Sequence, residues 1–443
     1  MSTTPAPSPV KRALLEKLHG DVLPALEQLV HALPDALTDA AQAERQIRAG
    51  ALAAARLLLA AWGRAADRAV TRPECPHCRL PMRHKGYKEG GAVTTLGHVR
   101  FRRPRYRCEP CGAECYPHDA QLRFLGRAVS WPLAQVVSRQ AALLGSFEQA
   151  RDALAEDYGV RLAKQTVADV AEAAGGEALR HEDQRRLQVA GRQEPLPDTP
   201  LAPDRACVFA DGTTVHTEGD WHEVRVATAT ATDAQGEQLA RQSRARFLPV
   251  ADFAWVLVLL ARAVGYQNAR LRAFVADGAH WLWKLAEDYF PSAIQVLDWY
   301  HLAEHVHKAA GAVFGEGSAG ATAWAEARKD ELWQGKVGAS LGEVEQELAR
   351  VRSPSKRAAL VELRTYLENN RGRVDYPRYR ELGLPVGSGQ VEAQCKSLVG
   401  ARCKLAGMRN WTYAGAEAVL RLRAAVQDGS YAKLWQQRLN PAA

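Results

Sequence analysis

Val208-Phe209-Ala210-Asp211-Gly212 and Phe274-Val275-Ala276-Asp277-Gly278 are two versions of one pattern, a short apolar run ending in Asp-Gly. Such a run fits a buried strand in a parallel pair, because parallel strands are covered on both faces. Each Asp is then expected at the carboxyl end of its strand, where open α/β sheets carry their sites. Adjacent strands would bring the two carboxylates within a few ångströms. Bare carboxylates that close repel unless protons or a cation intervene. Magnesium suits the position, being hard, oxygen-seeking and content with few carboxylates plus phosphate. A single Asp-Gly marks no more than a turn; the functional reading rests on two matched copies.

The surrounding pattern supports a sheet of this kind. Cys207 to Ala210, His222 to Thr230 and Ala245 to Pro249 read as strands, Asp252 to Val264 as a helix, and Leu271 to Ala276 and Ala293 to Leu297 as further strands, each followed by a helix. Three strands, helix, strand, helix, strand is the order of an RNase H-like core. A third acid comes from Gly387-Ser388-Gly389-Gln390-Val391-Glu392, which opens a helix after Pro385. Glu392 falls in its first turn, with Lys396 one turn on and Arg402, Lys404 and Arg409 beyond. By itself Glu392–Lys396 is an ordinary helical salt bridge. Beside two other acids it suits a helix that holds metal and then phosphate.

The chain has 443 residues, 47% hydrophobic and 24% charged, which suits a soluble multidomain protein with a sizeable core. The apolar stretches Phe253 to Ala261 and Ala49 to Gly63 fall short of the roughly 20 residues a membrane span requires. Met1 to Val10 lacks the apolar region of a secretory signal, so a cytoplasmic location is expected. The net charge of +8 is compatible with a polyanionic partner. Composition divides the chain into seven segments: a helical N-terminal module (1–70), a zinc ribbon (71–120), a helical helix-turn-helix-like region (121–181), a charged Pro-rich linker (182–204), the first part of the core (205–315), a helical insertion (316–385), and the Glu392 helix with C-terminal helices (386–443). Pro34 and Asp35 break the N-terminal module into two amphipathic runs, suited to self-association or to DNA contact.

Five of the eight cysteines lie between residues 75 and 115. Cys75-Pro-His-Cys78 and Cys108-Glu-Pro-Cys111 are two C-x-x-C knuckles, 29 residues apart (79 through 107). Each knuckle supplies two thiolates with little strain, and two of them make the tetrahedral site of one structural zinc. Cys115 and His77 are read as non-ligands. Between the knuckles, Val93 to Arg107 reads as a hairpin carrying Arg100, Arg102, Arg103, Arg105 and Arg107, a dense positive strip suited to phosphates. Phe147 to Asp157, a turn at Tyr158-Gly159-Val160 and Ala163 to Ala174 suggest a helix-turn-helix, with Lys164 and Gln165 leading the helix that would read base edges.

Asp211-Gly-Thr, Asp277-Gly-Ala-His-Trp, Asp298-Trp-Tyr-His301-Leu-Ala-Glu-His305 and Gly387-Ser-Gly-Gln-Val-Glu392, taken in order, resemble bacterial insertion-sequence DDE transposases of the Mutator-related group, ISKra type. The resemblance runs over nearly the whole chain, and the intervals of 66 and 115 residues (277 − 211; 392 − 277) fit the group's helical insertion. It implies that Asp211, Asp277 and Glu392 hold two Mg2+ (or Mn2+) ions. It also implies that Asp298 and His301, the group's C/D-x-x-H element, are auxiliary; a purely structural role for His301 stays open. The implied activity is strand cleavage at element ends followed by attack of the freed 3′-OH on target DNA. Its partners would be double-stranded DNA, comprising terminal inverted repeats and target, and further copies of the chain. Two alternatives share some of these features: an RNase H-like nuclease or resolvase that cuts without joining, and a non-enzymatic, domesticated DNA-binding regulator.

Overall fold

The computed structural model describes residues 8–34, 39–66 and 72–436. Asp35 and the 70/71 boundary expected from composition lie outside the described residues. The chain forms two compact units, Met1–Ala174 with Ala432–Ala443, and Gly175–Tyr431.

The first unit opens with α1 (Pro9–Lys17), a π turn at Leu18–Val22, α2 (Leu23–His31) and the long α3 (Ala40–Ala66). Strands β1 (Arg83–Thr94) and β2 (Gly97–Arg107) form an antiparallel hairpin, and the short β3 (Glu114–Cys115) pairs with the end of β2. Val99 and Phe101 project from one face and pack with Ala92 against Leu59, Ala60 and Leu122. The hairpin begins ten residues before the expected Val93. The first part of β1, Arg-His-Lys-Gly-Tyr-Lys-Glu-Gly-Gly, has no apolar alternation to betray it as a strand. After α4 (Asp119–Leu122) come α5 (Trp131–Leu143) and α6 (Phe147–Tyr158), the last two N-capped by serine hydroxyls, Ser130 and Ser146. Gly159 ends α6 in the left-handed conformation at φ 65°, as the turn reading requires. The next helix, α7 (Lys164–Ala190), is far longer than the expected Ala163 to Ala174.

The second unit is built on β4 (Arg205–Thr217), β5 (Asp220–Thr232), β6 (Gln238–Arg246), β7 (Leu271–Ala276) and β8 (Ile294–Leu297), with α8 (Val250–Ala263) before β7 and α9 (His280–Tyr289) before β8. The sheet order is β6-β5-β4-β7-β8. The first three strands are antiparallel; β4–β7 and β7–β8 are parallel. Helices α10 (Trp299–Phe314), α11 (Ala319–Trp333), α12 (Val337–Arg350), α13 (Pro354–Asn369) and α14 (Tyr376–Glu381) come next, so the stretch after residue 315 is helical as expected. The unit closes with α15 (Gly389–Gln394), a π turn at Cys395–Gly400, α16 (Ala401–Cys403) and α17 (Tyr413–Gln427). No helix among the described residues is long and apolar enough to cross a membrane.

Two expectations fail for one reason. Composition places a linker from 182, yet α7 continues to Ala190; the apolar pattern places the third strand over 245–249, yet β6 covers Gln238–Arg246. Glu182 and Asp183 on α7, Arg244 and Arg246 on β6, and Glu417 and Arg421 on α17 form a buried ionic network. Arg246 is only 2% exposed. Charged residues signal a surface when read singly; here the arginines are buried because the half-buried acids beside them neutralise them.

Candidate functional site

The four knuckle thiols converge. Cys75, Cys78, Cys108 and Cys111 present sulfurs that all lie within 4.8 Å of one another, so the cluster could hold zinc. Cys78 Sγ is 3.3 Å from Cys108 Sγ and 3.5 Å from those of Cys75 and Cys111. Zn–S bonds of about 2.3 Å imply tetrahedral edges of about 3.8 Å, close to these separations. Both knuckles turn alike, with Arg79 N–H donating to the Cys75 carbonyl and Gly112 N–H to that of Cys108, each at 2.9 Å. The 29-residue gap is the length of the β1–β2 hairpin with its connections. The Cys78 backbone N–H pulls the Cys75 thiol down to about 6, whereas the facing Cys108 thiol holds Cys78 up to about 12. Four thiolates this close repel one another, and a cation among them removes that repulsion. Cys115 packs against this cluster but is not a member of the ligand group, as expected.

The arginine strip divides by partner. Arg103 pairs with Asp119 at 2.6 Å and lies over the Tyr116 ring; Arg105 pairs with Glu114. Arg102 sits 3.8 Å from Glu89. Arg100 and Arg107 are exposed and make no ion pair among the described residues. Lys164 is exposed, while Gln165 donates to Asp169 on its own helix.

In the second unit three acids sit on three neighbouring strands. Asp277 and Asp298 come directly after β7 and β8, and Asp298 N–H donates to the Ala276 carbonyl at 2.8 Å. Asp211 does not end its strand. The parallel pairing with β7 stops at Phe209, but the hairpin with β5 carries β4 on to Thr217. The long antiparallel partner keeps the backbone extended past the acid. Asp211 still lies just beyond the last parallel pair, in line with Asp277. Asp211 Oδ1 accepts the Gly212 N–H at 2.6 Å, and Asp277 Oδ1 the Ala279 N–H at 2.9 Å. Burial, and then the Asp277 charge, push the Asp211 carboxyl above its ordinary value.

Asp298 is fully buried and caps α10, accepting from Tyr300 N–H at 2.6 Å and His301 N–H at 3.3 Å through Oδ1. Its Oδ2 accepts the Ser388 N–H at 2.8 Å and faces the Ser388 hydroxyl. His301 Nδ1 stands 3.2 Å from the same oxygen. Pairing with Asp298 lifts His301 to about 9, while burial, which alone would raise Asp298, is outweighed by His301 and Ser388, so Asp298 stays below its ordinary value. The Ser388 hydroxyl also lies 2.9 Å from Glu392 Oε1. Asp298, His301 and Glu392 thus present ligand atoms within 4.8 Å of one another and could bind a metal. Asp211 and Asp277 do not belong to that closed group. With its oxygens already engaged by the backbone, Ser388 and His301, Asp298 is built to position its neighbours.

Glu392 sits in the first turn of α15 as expected. The π turn then alters the register of the downstream cations, because an i→i+5 turn rotates the residues beyond it. Lys396 is exposed, but Arg402 is fully buried, lying over the Trp411 ring at 4.8 Å; the expected phosphate contact by Arg402 is therefore corrected. Lys404 reaches the Thr213 hydroxyl, two residues from Asp211.

Ser388 and Cys395 escaped the sequence reading. Ser388 had a signal, a hydroxyl residue at the start of a helix four positions before an acid. Cys395, whose Sγ is 3.6 Å from Asp211 Oδ2, had none, since a single cysteine has no spacing to read. No protein-family model matches the chain, and no curated protein is significantly similar to it.

Proposed function

We propose that the chain is a DDE-type transposase with an RNase H-like core, cleaving DNA at element ends and joining the 3′-OH to target DNA. The observation that carries this reading is the alignment of Asp211 and Asp277 on adjacent parallel strands, with Cys395, three residues beyond Glu392, against the Asp211 carboxylate. The mixed strand order, with three antiparallel strands followed by two parallel ones, supports the RNase H-like assignment. A raised Asp211 carboxyl beside a second acid is the electrostatic signature of a site that awaits a cation.

Asp211, Asp277 and Glu392 would hold Mg2+ or Mn2+, which when bound supplies Lewis-acid activation of the phosphate and its attacking oxygen. Asp298 keeps His301 cationic through Nδ1, leaving Nε2 to hold a phosphate oxygen or to pass a proton to a departing 3′ oxygen. Ser388 gives its N–H to Asp298 and its hydroxyl proton to Glu392, so the helix bearing the third acid is set by the acid that follows β8. Lys396 and Lys404 are suited to phosphates beyond the cut. The four-cysteine ribbon would hold one structural Zn2+ and stiffen a hairpin whose Arg100 and Arg107 grip duplex DNA.

The test uses DNA flanking the chain's own gene as substrate, with Mg2+ or Mn2+. Wild type should nick it and transfer the 3′ ends to a second duplex, whereas Asp211→Asn, Asp277→Asn and Glu392→Gln should lose at least about a thousandfold of the rate. Cleavage at the wild-type rate by Asp211→Asn would overturn the assignment. Cleavage without transfer would favour a nuclease, and tight binding without cleavage a regulator.

A further inference from the structure

Trp299 and Tyr300 are consecutive aromatics at the start of α10 with opposite fates. Trp299 turns inward, its ring 4.8 Å from that of Trp333 and 5.2 Å from that of Tyr376. Tyr300 is 62% exposed, among the largest exposures of any big hydrophobic side chain in the described residues. Isolated exposed aromatics are common and need no explanation. This one differs because the backbone that carries it is anchored on both sides. Its N–H is fixed by Asp298 Oδ1 at 2.6 Å, and the preceding Trp299 N–H by the Val386 carbonyl at 2.9 Å.

The ring itself lies against the backbone of Gly387. A Cβ at that position would come within 2.8 Å of both Cδ2 and Cε2, so only glycine admits the ring there. Tyr300 therefore rests on the same 387–388 segment that binds Asp298, adjoining His301, and its hydroxyl has no hydrogen-bond partner among the described residues. A flat π surface braced against backbone at the edge of an acid cluster has less conformational entropy to lose than a free side chain when something stacks on it. The chemistry that matches such a surface is a nucleobase, because every base has a π face and stacking tolerates any sequence.

We infer that Tyr300 is a positioning residue that stacks on an unpaired nucleobase beside the scissile phosphate. The inference rests on the DNA-cleaving function proposed above. Withdrawing one base from the duplex would give the backbone the freedom to bring its phosphate down to recessed acids, and the ring would recover part of the unstacking cost.

The experiment compares wild type with Tyr300→Ala, Tyr300→Phe and Tyr300→Trp on the gene-flanking duplex with Mn2+. A matched series carries an abasic nucleotide at each position next to the nick in turn. Tyr300→Ala should cut the fully paired duplex about tenfold more slowly or worse, with its Mn2+ titration midpoint and melting temperature unchanged. Tyr300→Phe and Tyr300→Trp should stay near the wild-type rate. At one position the abasic substitution should erase the difference between wild type and Tyr300→Ala, since there is no base left to stack. Equal rates for Tyr300→Ala and wild type, or a Tyr300→Phe defect as large as that of Tyr300→Ala, would overturn the inference and leave the cleavage function standing. A difference that persists at every abasic position would overturn it likewise. Wild-type protein that cuts no duplex with either metal would overturn both.

Discussion

The Tyr366 hydroxyl donates to the backbone carbonyl of Asp277 at 2.7 Å, so a helix of the 319–381 array holds the peptide of a strand-end acid. The Tyr366 ring also covers Gly278 (φ 100°), where a Cβ would lie 2.8 Å from Cε2, and it stacks on His305 at 3.9 Å. Tyr366→Phe deletes the donor and keeps the ring. The loss should be about 1 kcal/mol, the net value of one part-buried hydrogen bond. Melting curves with and without Mn2+ check this. A lower metal-free melting temperature and a smaller gain on adding Mn2+ are expected, and superimposable curves would remove Tyr366 from the site.

Asp211 has a folded pKa above its ordinary value, the direction that destabilises. The penalty is present at pH values above the folded pKa and disappears as pH falls through it. Asp211→Asn removes the buried charge and its repulsion with Asp277. The metal-free variant should therefore melt at or above the wild-type temperature near pH 7, and it should lack the gain in melting temperature expected when Mg2+ or Mn2+ is added to wild type. A variant less stable than wild type without metal would contradict the electrostatic account.

His301 has the opposite sign. Its folded pKa of about 9 exceeds the ordinary 6.5, so its contribution is full below about 6.5 and is lost as pH rises through about 9. Asp298 is depressed, so its contribution is present above 3.8 and is lost as pH falls through the lowered value. The gap in melting temperature between wild type and His301→Gln should be widest between about pH 4 and 6.5 and should close toward pH 10. A gap independent of pH would show that the pair is not ionic.

Glu182 is surrounded by guanidinium groups, with Arg244 Nε and Arg421 Nε each at 2.9 Å and Arg246 Nη1 at 3.6 Å. Burial alone would raise its carboxyl, but the three arginines hold it far below the usual range. Glu182→Gln leaves buried cations with less compensation and should cost about 3 kcal/mol or more. Denaturant midpoints test this; a loss under about 1 kcal/mol would mean that water or neighbouring acids already screen the arginines.

Arg100 and Arg103 should separate binding from stability. Arg100→Ala removes an unpaired exposed cation, so DNA affinity should fall and the slope of log affinity against log salt should shrink by about one. Arg103→Ala leaves Asp119 to Arg123 alone and bares Tyr116, so the melting temperature should fall with little change in that slope. If Arg103→Ala alone lowers the slope, the outward face of the hairpin is assigned wrongly.

The local patterns were legible in the sequence. β7 spans the expected residues because its apolar run is buried on both faces, and the C-x-x-C knuckles closed because a short turn constrains both thiols. Gly159 and the helical stretch after residue 315 were readable for the same reason, since backbone freedom and helical periodicity are properties of neighbours in sequence. What tertiary structure decided involves charge whose partner is distant in the chain. β6 and the end of α7 both depend on neutralisation that no local window contains. The arrangement of the acids belongs to the same class. The sequence singled out Asp211, Asp277 and Glu392, but only the folded chain joins Ser388, and through it Glu392, to Asp298 across 90 residues, and Tyr366 to Asp277 across 89. A hydrogen bond is specified by geometry in space, and composition carries no trace of it.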